Sequence, residues 1–209
     1  MNISVIIPAY NEEYTIADVI KTAKNVPEID SIVVVSDGST DRTVEIARSL
    51  KVEVYEMKEN IGKGGAMKRG FEKTDSDIIL FLDADLIGLE CEHIYSLINP
   101  IIENIADMTI GVFSKGRLLT DLSQFITPYI SGQRAIRRKI IDVIPDLDLL
   151  KFGVEVAINK AVKKYDYRIQ TVKLYNVTQR IKEEKFGLFE GTKKRLQMYL
   201  DIVKQIILE

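Results

Sequence analysis

Ser31-Ile32-Val33-Val34-Val35, then Ser36-Asp37-Gly38-Ser39-Thr40-Asp41, then Arg42-Thr43-Val44-Glu45-Ile46-Ala47-Arg48-Ser49 run a β-branched strand through an Asp-Gly loop into a helix. The first segment has strand length and composition, Asp-Gly supplies the turn, and a Ser, Thr or Asp cap precedes the apolar positions Val44, Ile46, Ala47 and Leu50. The same unit recurs on both sides. Ile3 to Ile7 leads to Thr15–Lys24, Val52 to Tyr55 leads to Gly64–Lys73, and Ile78 to Leu82 ends on Asp83. Such alternation predicts an α/β fold, a mostly parallel central sheet flanked by helices. In open sheets of this kind ligands bind at the loops beyond the carboxyl ends of the strands, so those loops carry the functional reading.

The chain has 209 residues, 46% of them hydrophobic, enough for one substantial core; we expect a single domain over 1–209. Lys plus Arg (29) nearly balance Asp plus Glu (31), so no global basic field argues for nucleic acid as a partner. Cys91 is the one cysteine, which excludes an internal disulfide and a cysteine zinc cluster and fits a reducing compartment. Met1 to Pro8 has no basic region ahead of its apolar run, unlike a signal peptide, and charges interrupt the other apolar stretches before membrane-spanning length. A soluble, cytoplasmic protein without a transmembrane segment is expected.

Four loops carry chemistry. Pro8-Ala9-Tyr10-Asn11-Glu12-Glu13 puts an aromatic and a carboxylate at a strand end, where they can hold a ribose or a base edge. Ser36-Asp37-Gly38 offers Asp37 to a base and Gly38 for close backbone approach. Asn60-Ile61-Gly62-Lys63-Gly64-Gly65 is a glycine loop at a helix start, suited to phosphate, with Lys63 adding a point charge; its spacing is neither a P-loop nor a dinucleotide fingerprint. Asp83-Ala84-Asp85 follows a buried-looking strand, and residues i and i+2 of an extended segment point the same way. Two bare carboxylates so placed repel unless a cation compensates; Mg²⁺ or Mn²⁺ bridging a diphosphate is the economical reading. Taken singly, each loop is an ordinary turn.

In order, Pro8-Ala9-Tyr10-Asn11-Glu12-Glu13, Asp37-Gly38-Ser39-Thr40-Asp41-Arg42-Thr43, Gly62-Lys63-Gly64 and Asp83-Ala84-Asp85 closely resemble the motifs of family 2-like glycosyltransferases with a GT-A fold, a Rossmann-like nucleotide-diphospho-sugar transferase fold. The resemblance covers residues 1 to about 90. It implies that Pro8, Ala9, Tyr10, Glu12 and Asp37 hold the nucleoside, that Lys63 lies near the diphosphate, and that Asp83 and Asp85, with Ala84 between them, form a DxD metal and ribose site. Ser131-Gly132-Gln133-Arg134-Ala135-Ile136-Arg137-Arg138 looks like the acceptor loop of dolichyl-phosphate mannose synthase-like enzymes, whose Ser-Gly-x-Arg element faces a phosphate. A planar guanidinium suits that role, and Arg134, after the Gly-x turn, is the arginine assigned to it; Arg138 and Lys139 read as a solvated helix face. Phe152-Gly153-Val154-Glu155, at the start of a helix over Leu149–Lys164, resembles the acceptor segment of glucosyl-3-phosphoglycerate synthase-like enzymes, with Glu155 facing sugar or acceptor or else merely exposed. Those enzymes are expected to bring a late histidine to the metal. The comparable stretch, Asn176 to Lys182, has none, and Gln179 is the nearest substitute; His93, the only histidine, reads as a surface residue on a helix.

Together these features predict metal-dependent transfer of a hexose from a nucleotide-diphosphate sugar, a UDP-sugar by preference, to an acceptor that is a small molecule or a polyprenyl phosphate. Asp85, Glu155 and Arg134 are the catalytic candidates, and Asp83, Asp85 and Gln179 the metal ligands. Residues 1–110 form the donor half and 111–190 the acceptor half. A nucleotidyltransferase and a non-catalytic sugar-nucleotide-binding protein are the alternatives; the first lacks its Gly-rich, Arg- and Lys-bearing triphosphate loop. The segment 191–209 reads as an amphipathic helix with the stripe Leu196, Tyr199, Leu200, Val203, Ile206 and Ile207. Packing on its own domain is the expected use of that stripe, ahead of a homodimer interface and of peripheral membrane contact. Light scattering of the full chain and of one ending at Gly191 is expected to give a monomer for both, and a larger particle only with the tail would assign the stripe to a dimer.

Overall fold

The computed structural model describes residues 1–114, 131–144 and 154–180. In the first half the β-branched runs become strands and the intervening periodic segments helices: β1 (Ile3–Ala9), α1 (Ile16–Lys24), β2 (Ser31–Ser36), α2 (Thr43–Ser49), β3 (Glu53–Glu56), α3 (Lys63–Phe71) and β4 (Ile78–Phe81). There follow β5 (Leu86–Ile87), α4 (Cys91–Ile102), β6 (Met108–Phe113), β7 (Arg134–Arg137), α5 (Arg138–Ile141), α6 (Val154–Lys164), β8 (Ile169–Leu174) and β9 (Thr178–Gln179). The expected tail helix over 191–209 and the Phe152-Gly153 end of the acceptor segment lie outside the described residues.

Seven strands form one sheet in the order β3-β2-β1-β4-β7-β6-β8. Every neighbouring pair is parallel except at β7, which runs antiparallel to both β4 and β6. The period-2 alternation of the strands divides the core. Val5, Ile7, Ile78, Leu80 and Ala135 face one side, packed with Val19 and Ile20 of α1 and Leu97, Ile98 and Ile101 of α4. Ile6, Ile79, Phe81, Met108 and Ile136 face the other, packed with Met67 of α3, Ile140 of α5 and Ile158 and Val162 of α6. β1 lies in the middle and is buried on both faces, which is why it reads as a continuous apolar run. Its Pro8 is tolerated there because the carbonyl of Ile6 already takes the N–H of Leu82, just past the end of β4. Pro8, two residues on, aims at the same edge where β4 has stopped, so its missing N–H leaves no ladder bond unmade.

Strands β5, β6, β7 and β9 were not legible in the sequence, and β7 corrects an expectation. Residues 134–137, read as a turn leading into a solvated basic helix face, are strand β7 in the interior of the sheet, and Arg134 is fully buried; the helix does begin at Arg138, as α5, with Lys139 exposed. Arg138 is not solvated either: its Nε donates to the carbonyl of Ser76 at 3.0 Å and its guanidinium stacks 4.2 Å over the Phe71 ring. His93, expected on the surface, is buried; its Nδ1 accepts the backbone N–H of Glu90 at 3.0 Å, closing the first turn of α4.

The far end of the sheet is held by one carboxylate. Asp107, just ahead of β6, donates its N–H to the carbonyl of Arg168, and its own carbonyl accepts from Arg137. Its Oδ2 accepts from the N–H of Arg168 at 3.1 Å and from Nε of Arg168 at 3.0 Å, while Lys139 sits 3.2 Å from Oδ1. The hydrogen bonds from Arg168 outweigh the opposing effect of burial and, with Lys139, hold the Asp107 carboxyl well below the usual carboxylate range. A depressed folded-state pKa contributes stability above the unfolded-state value and loses it as the pH falls below about 4. Asp107→Ala is expected to lower the unfolding free energy by about 3 kcal/mol in urea titrations at pH 7, because cations from β7, α5 and the start of β8 lose their shared partner. The deficit should shrink as titrations are repeated towards pH 2.

Candidate active site

The loops beyond the carboxyl ends of β1 and β2 are laced together by side chains acting on backbone. Asn11, in the left-handed region at φ 55°, accepts the N–H of Thr40 on its Oδ1 at 2.8 Å and donates its own N–H to Ser39 Oγ at 3.1 Å. The N–H of Glu12 donates to Thr43 Oγ1 at 2.8 Å, and that of Glu13 to Asp41 Oδ2 at 3.1 Å. Asp41 Oδ1 takes the N–H of Thr43 at 3.0 Å from one residue ahead of the cap position; that position is held by Arg42, which makes no side-chain cap, so the expected Ser, Thr or Asp cap of α2 is displaced. Pro8 and Ala9 end β1 beside Val35 and Ser36, Tyr10 is half-buried above them, and Glu12 is buried.

Asp37 does more than face an open loop. Its Oδ1 accepts the N–H of Ile61 at 2.8 Å and its Oδ2 that of Gly62 at 2.9 Å, so the carboxylate pins the glycine loop onto the end of β2. Gly38, at φ +73°, lets the backbone of Glu59 and Asn60 pass where a Cβ would stand 3.1 and 3.0 Å from it. The same contacts place Lys63 at the first turn of α3, with the helix amino end directed at the crest of the sheet.

Lys63 meets the other half of the chain there. Its Nζ lies 2.7 Å from Asp83 Oδ1 and donates to Glu155 Oε1 at 2.7 Å. Asp83 Oδ2 accepts two amide donors, Gln133 Nε2 and Gln179 Nε2, each at 2.7 Å. Gln179 arrives because β9 pairs with β5 antiparallel, Leu86 opposite Gln179, and the N–H of Arg180 donates to the carbonyl of Asp85 at 3.1 Å. Gly132 closes one side: a Cβ there would overlap the Lys63 ammonium and both Asp83 oxygens, so only glycine leaves room for the ion pair. Asp83 and Asp85 do not continue a strand, as the i, i+2 argument assumed. β4 stops at Phe81, and the pair lies in the turn that enters β5. Ala84 is buried in the core, which leaves only its backbone to face a ligand.

Beneath this pair sits a second cation. Arg134 opens β7 on the α6 face of the sheet, and its Nη1 donates to the carbonyl of Glu155 and to Asn159 Oδ1, each at 3.3 Å. Its Nε donates to the carbonyl of Ser131 at 3.2 Å, and Nη2 donates to the same oxygen. The expected acceptor-facing fork is thus turned inward, tying the start of α6 to the Ser131-Gly132 strap. Burial lowers the guanidinium pKa to about 10 against the pull of Glu155 and Asp83, so it stays charged at neutral pH. For Lys63, burial works against the charged form, but Asp83 and then Glu155 outweigh it and hold the ammonium above the ordinary lysine range.

Asp83 and Asp85 carry hard carboxylate oxygens, the type that Mg²⁺ and Mn²⁺ prefer, whereas Gln179 turns its Nε2 donor towards Asp83 and would offer its oxygen to an ion only after its amide turned over. Among the described residues no group of three or more His, Cys, Asp or Glu is gathered, so the protein alone would not complete a shell, and oxygens of a bound phosphate would have to supply the remainder. The donor set fits a divalent ion on those terms. Sequence reasoning named Asp83, Lys63, Glu155, Gln133 and Gln179 separately. It missed that Lys63 and Glu155 are ion-paired and that Asn159 and Ser131 hold Arg134; four-residue spacing from Glu155 to Asn159 on one helix was the available signal.

Residues 4–158 match the model of Glycosyl transferase family 2. Protein RfbJ of Shigella flexneri is 39% identical over 111 residues, 53% of this chain and 84% of that protein. Glucosyl-3-phosphoglycerate synthase of Mycobacterium tuberculosis is 27% identical over 194 residues, 75% of this chain, and the chain spans 59% of that relative's length. A crystal structure of that synthase in complex with Mn²⁺, UDP-glucose and phosphoglyceric acid superposes with a TM-score of 0.71 at 26% identity, covering 86% of this chain and 71% of that one. The mostly parallel sheet flanked by helices is therefore a GT-A sheet, and its loops carry the motifs that the sequence spaced in order. Because the family model spans most of the chain, from β1 into α6, the chain belongs to glycosyl transferase family 2.

Proposed function

We propose that the protein transfers a hexose from a UDP-sugar to an anionic acceptor with the help of Mg²⁺ or Mn²⁺. The observation that carries the reading is the meeting of Lys63, Asp83, Glu155, Gln133 and Gln179 at the carboxyl ends of the parallel strands, each delivered by a different segment. Support comes from the relatives: the Mycobacterium tuberculosis synthase was crystallised with Mn²⁺, UDP-glucose and phosphoglyceric acid, and also with Mg²⁺ and UDP.

In this reading the donor half, residues 1–110, binds the nucleotide, with Pro8, Ala9, Tyr10 and Glu12 lining the nucleoside site; Asp37 and Gly38 shape it by fixing the glycine loop. Asp85, Asp83 and Gln179 hold the divalent ion, which neutralises charge on the departing diphosphate. Lys63 adds a cation beside the same leaving group, and the charge it meets there grows as the sugar–phosphate bond breaks. The acceptor phosphate attacks as an oxyanion, with no proton to lose, and its oxygen forms the new bond to the anomeric carbon as the bond to the diphosphate oxygen breaks. Gly132 and Gln133 shape the acceptor side, while Arg134 acts as a positioning residue that holds Glu155 and the Ser131-Gly132 strap in place. Glu155 orients Lys63. The acceptor is a phosphorylated small molecule or a polyprenyl phosphate, and turnover with one and not the other separates them. We place the protein in the cytoplasm, with a homodimer built on the 191–209 stripe as the alternative to the expected monomer; among the described residues no helix is long and apolar enough to cross a membrane.

Two substitutions test the machinery. Asp85→Ala is expected to reduce sugar transfer from labelled UDP-glucose by about 100-fold or more while the melting temperature stays near the parent's; equal turnover at saturating Mn²⁺ would remove Asp85 from the metal site. Gly132→Ala is expected to drive its Cβ into the Lys63–Asp83 pair and to slow transfer by about tenfold or more, with UDP affinity in calorimetry falling alongside. Unchanged kinetics in that variant would show that Lys63 and Asp83 act independently of each other.

A further inference from the structure

The Lys63 ammonium stands where a cation bound to Asp83 would stand. It lies 2.7 Å from Asp83 Oδ1 and 2.7 Å from Glu155 Oε1, both carboxylates nearly buried, and Gly132 closes over it without a side chain. With Gln133 and Gln179 taking Oδ2, Lys63 is the occupant of the free side of Asp83 that a ligand could replace. At the crest of the sheet two nearly buried carboxylates, Asp83 and Glu155, face the Lys63 ammonium between them, with the buried Arg134 guanidinium beneath. A divalent ion alone would overturn that balance and strand the ammonium. A diphosphate alone would draw the ammonium off and leave Asp83 uncompensated. The two together leave the charge balance unchanged, because the ion replaces lysine at Asp83 and the diphosphate receives the lysine.

We propose that Lys63 is an exchangeable counter-ion that makes loading of the divalent ion and of the nucleotide diphosphate mutually dependent. Without ligands it satisfies Asp83. On loading it moves to the diphosphate, with Glu155 as the fixed anchor about which its long side chain swings. Glu155 is suited to that task because its helix is held from below by Arg134, through the Glu155 carbonyl and Asn159. The lysine therefore disfavours each ligand alone and rewards the pair, a coupling that is reciprocal by linkage. This inference rests on the UDP-sugar reading of the same site.

The test is the coupling factor: the affinity for Mn²⁺ with saturating UDP divided by that without, from calorimetry checked against the electron paramagnetic resonance of free Mn²⁺. Wild-type full-length chain is compared with Lys63→Met and with the double variant Lys63→Met/Glu155→Gln, which removes one charge of each sign. Both variants are expected to bind Mn²⁺ alone more tightly than wild type, and the coupling factor in both is expected to fall by about tenfold. A double variant that matches wild type would mean that Lys63 acts through net charge alone and would overturn the proposal. So would a uniform shift of Mn²⁺ affinity with unchanged coupling in Lys63→Met. Wild-type chain that binds neither UDP nor Mn²⁺ would instead overturn the UDP-sugar reading, and this inference with it. Thermal unfolding monitored by circular dichroism confirms that each variant is folded, and Lys63→Arg, which keeps the charge, supplies the comparison if Lys63→Met does not fold.

Discussion

One ion pair spans the molecule. Lys63 belongs to the helix after β3, Asp83 to the turn after β4, and Glu155 to a helix that begins beyond the middle strands, so a single ammonium fixes three remote segments within 2.7 Å contacts. Charges this buried are tolerated only when paired, and such pairs seldom add net stability over apolar packing of the same volume. Their presence at the crest of the sheet, and not in the core, is the mark of a site. Everything else at the crest follows from making room for that pair and satisfying its remaining lone pairs, with a glycine at 132 and glutamines at 133 and 179.

The reversed strand makes this construction geometrically simple. Parallel strands end where their ligand-binding loops begin, whereas an antiparallel strand inserted among them begins there. β7 runs against both β4 and β6, so the residues just ahead of it, Ser131 to Gln133, emerge beside the turn that follows β4. The first residue of β7, Arg134, then lies directly under the site, and its last, Arg137, reaches the Asp107 hub at the opposite end. A strand of four residues thus links the charge cluster that binds to the one that holds the sheet together.

On the nucleotide side the loops are set before any ligand arrives. Asn11, Asp37, Asp41 and Thr43 each spend side-chain oxygens on backbone N–H groups of a neighbouring loop. Loops tied in this way lose less freedom when they close on a ligand, which is the physical content of preorganisation. Asp37 acts as scaffold: both of its oxygens are engaged by the glycine loop, and that engagement sets α3 and Lys63 in place.

The βαβ order of the first half, its loops and the parallel sheet could be read from sequence because each depends on local terms: β-branched runs, apolar periodicity, Asp-Gly turns and a carboxylate ahead of a helix. The order of the motifs likewise singled out Lys63 and Asp83 before any coordinates, and Gln179 was named by its position where the resemblance implies a late histidine. What the residues alone left undecided was everything that depends on partners distant in the chain. Arg134, Arg137 and Arg138 look alike in sequence, yet one is buried under Glu155, one pairs with Asp107 and one stacks on Phe71. Arginine is buried only where desolvation is offset by charge and hydrogen bonds, and apart from the Ser131 carbonyl that takes two bonds from Arg134, those come here from residues 21 to 64 positions away. For the same reason the sequence determined that Lys63, Asp83 and Glu155 were charged candidates, while only the tertiary structure, by reversing β7 and setting α6 against α3, decided that they share one ion pair.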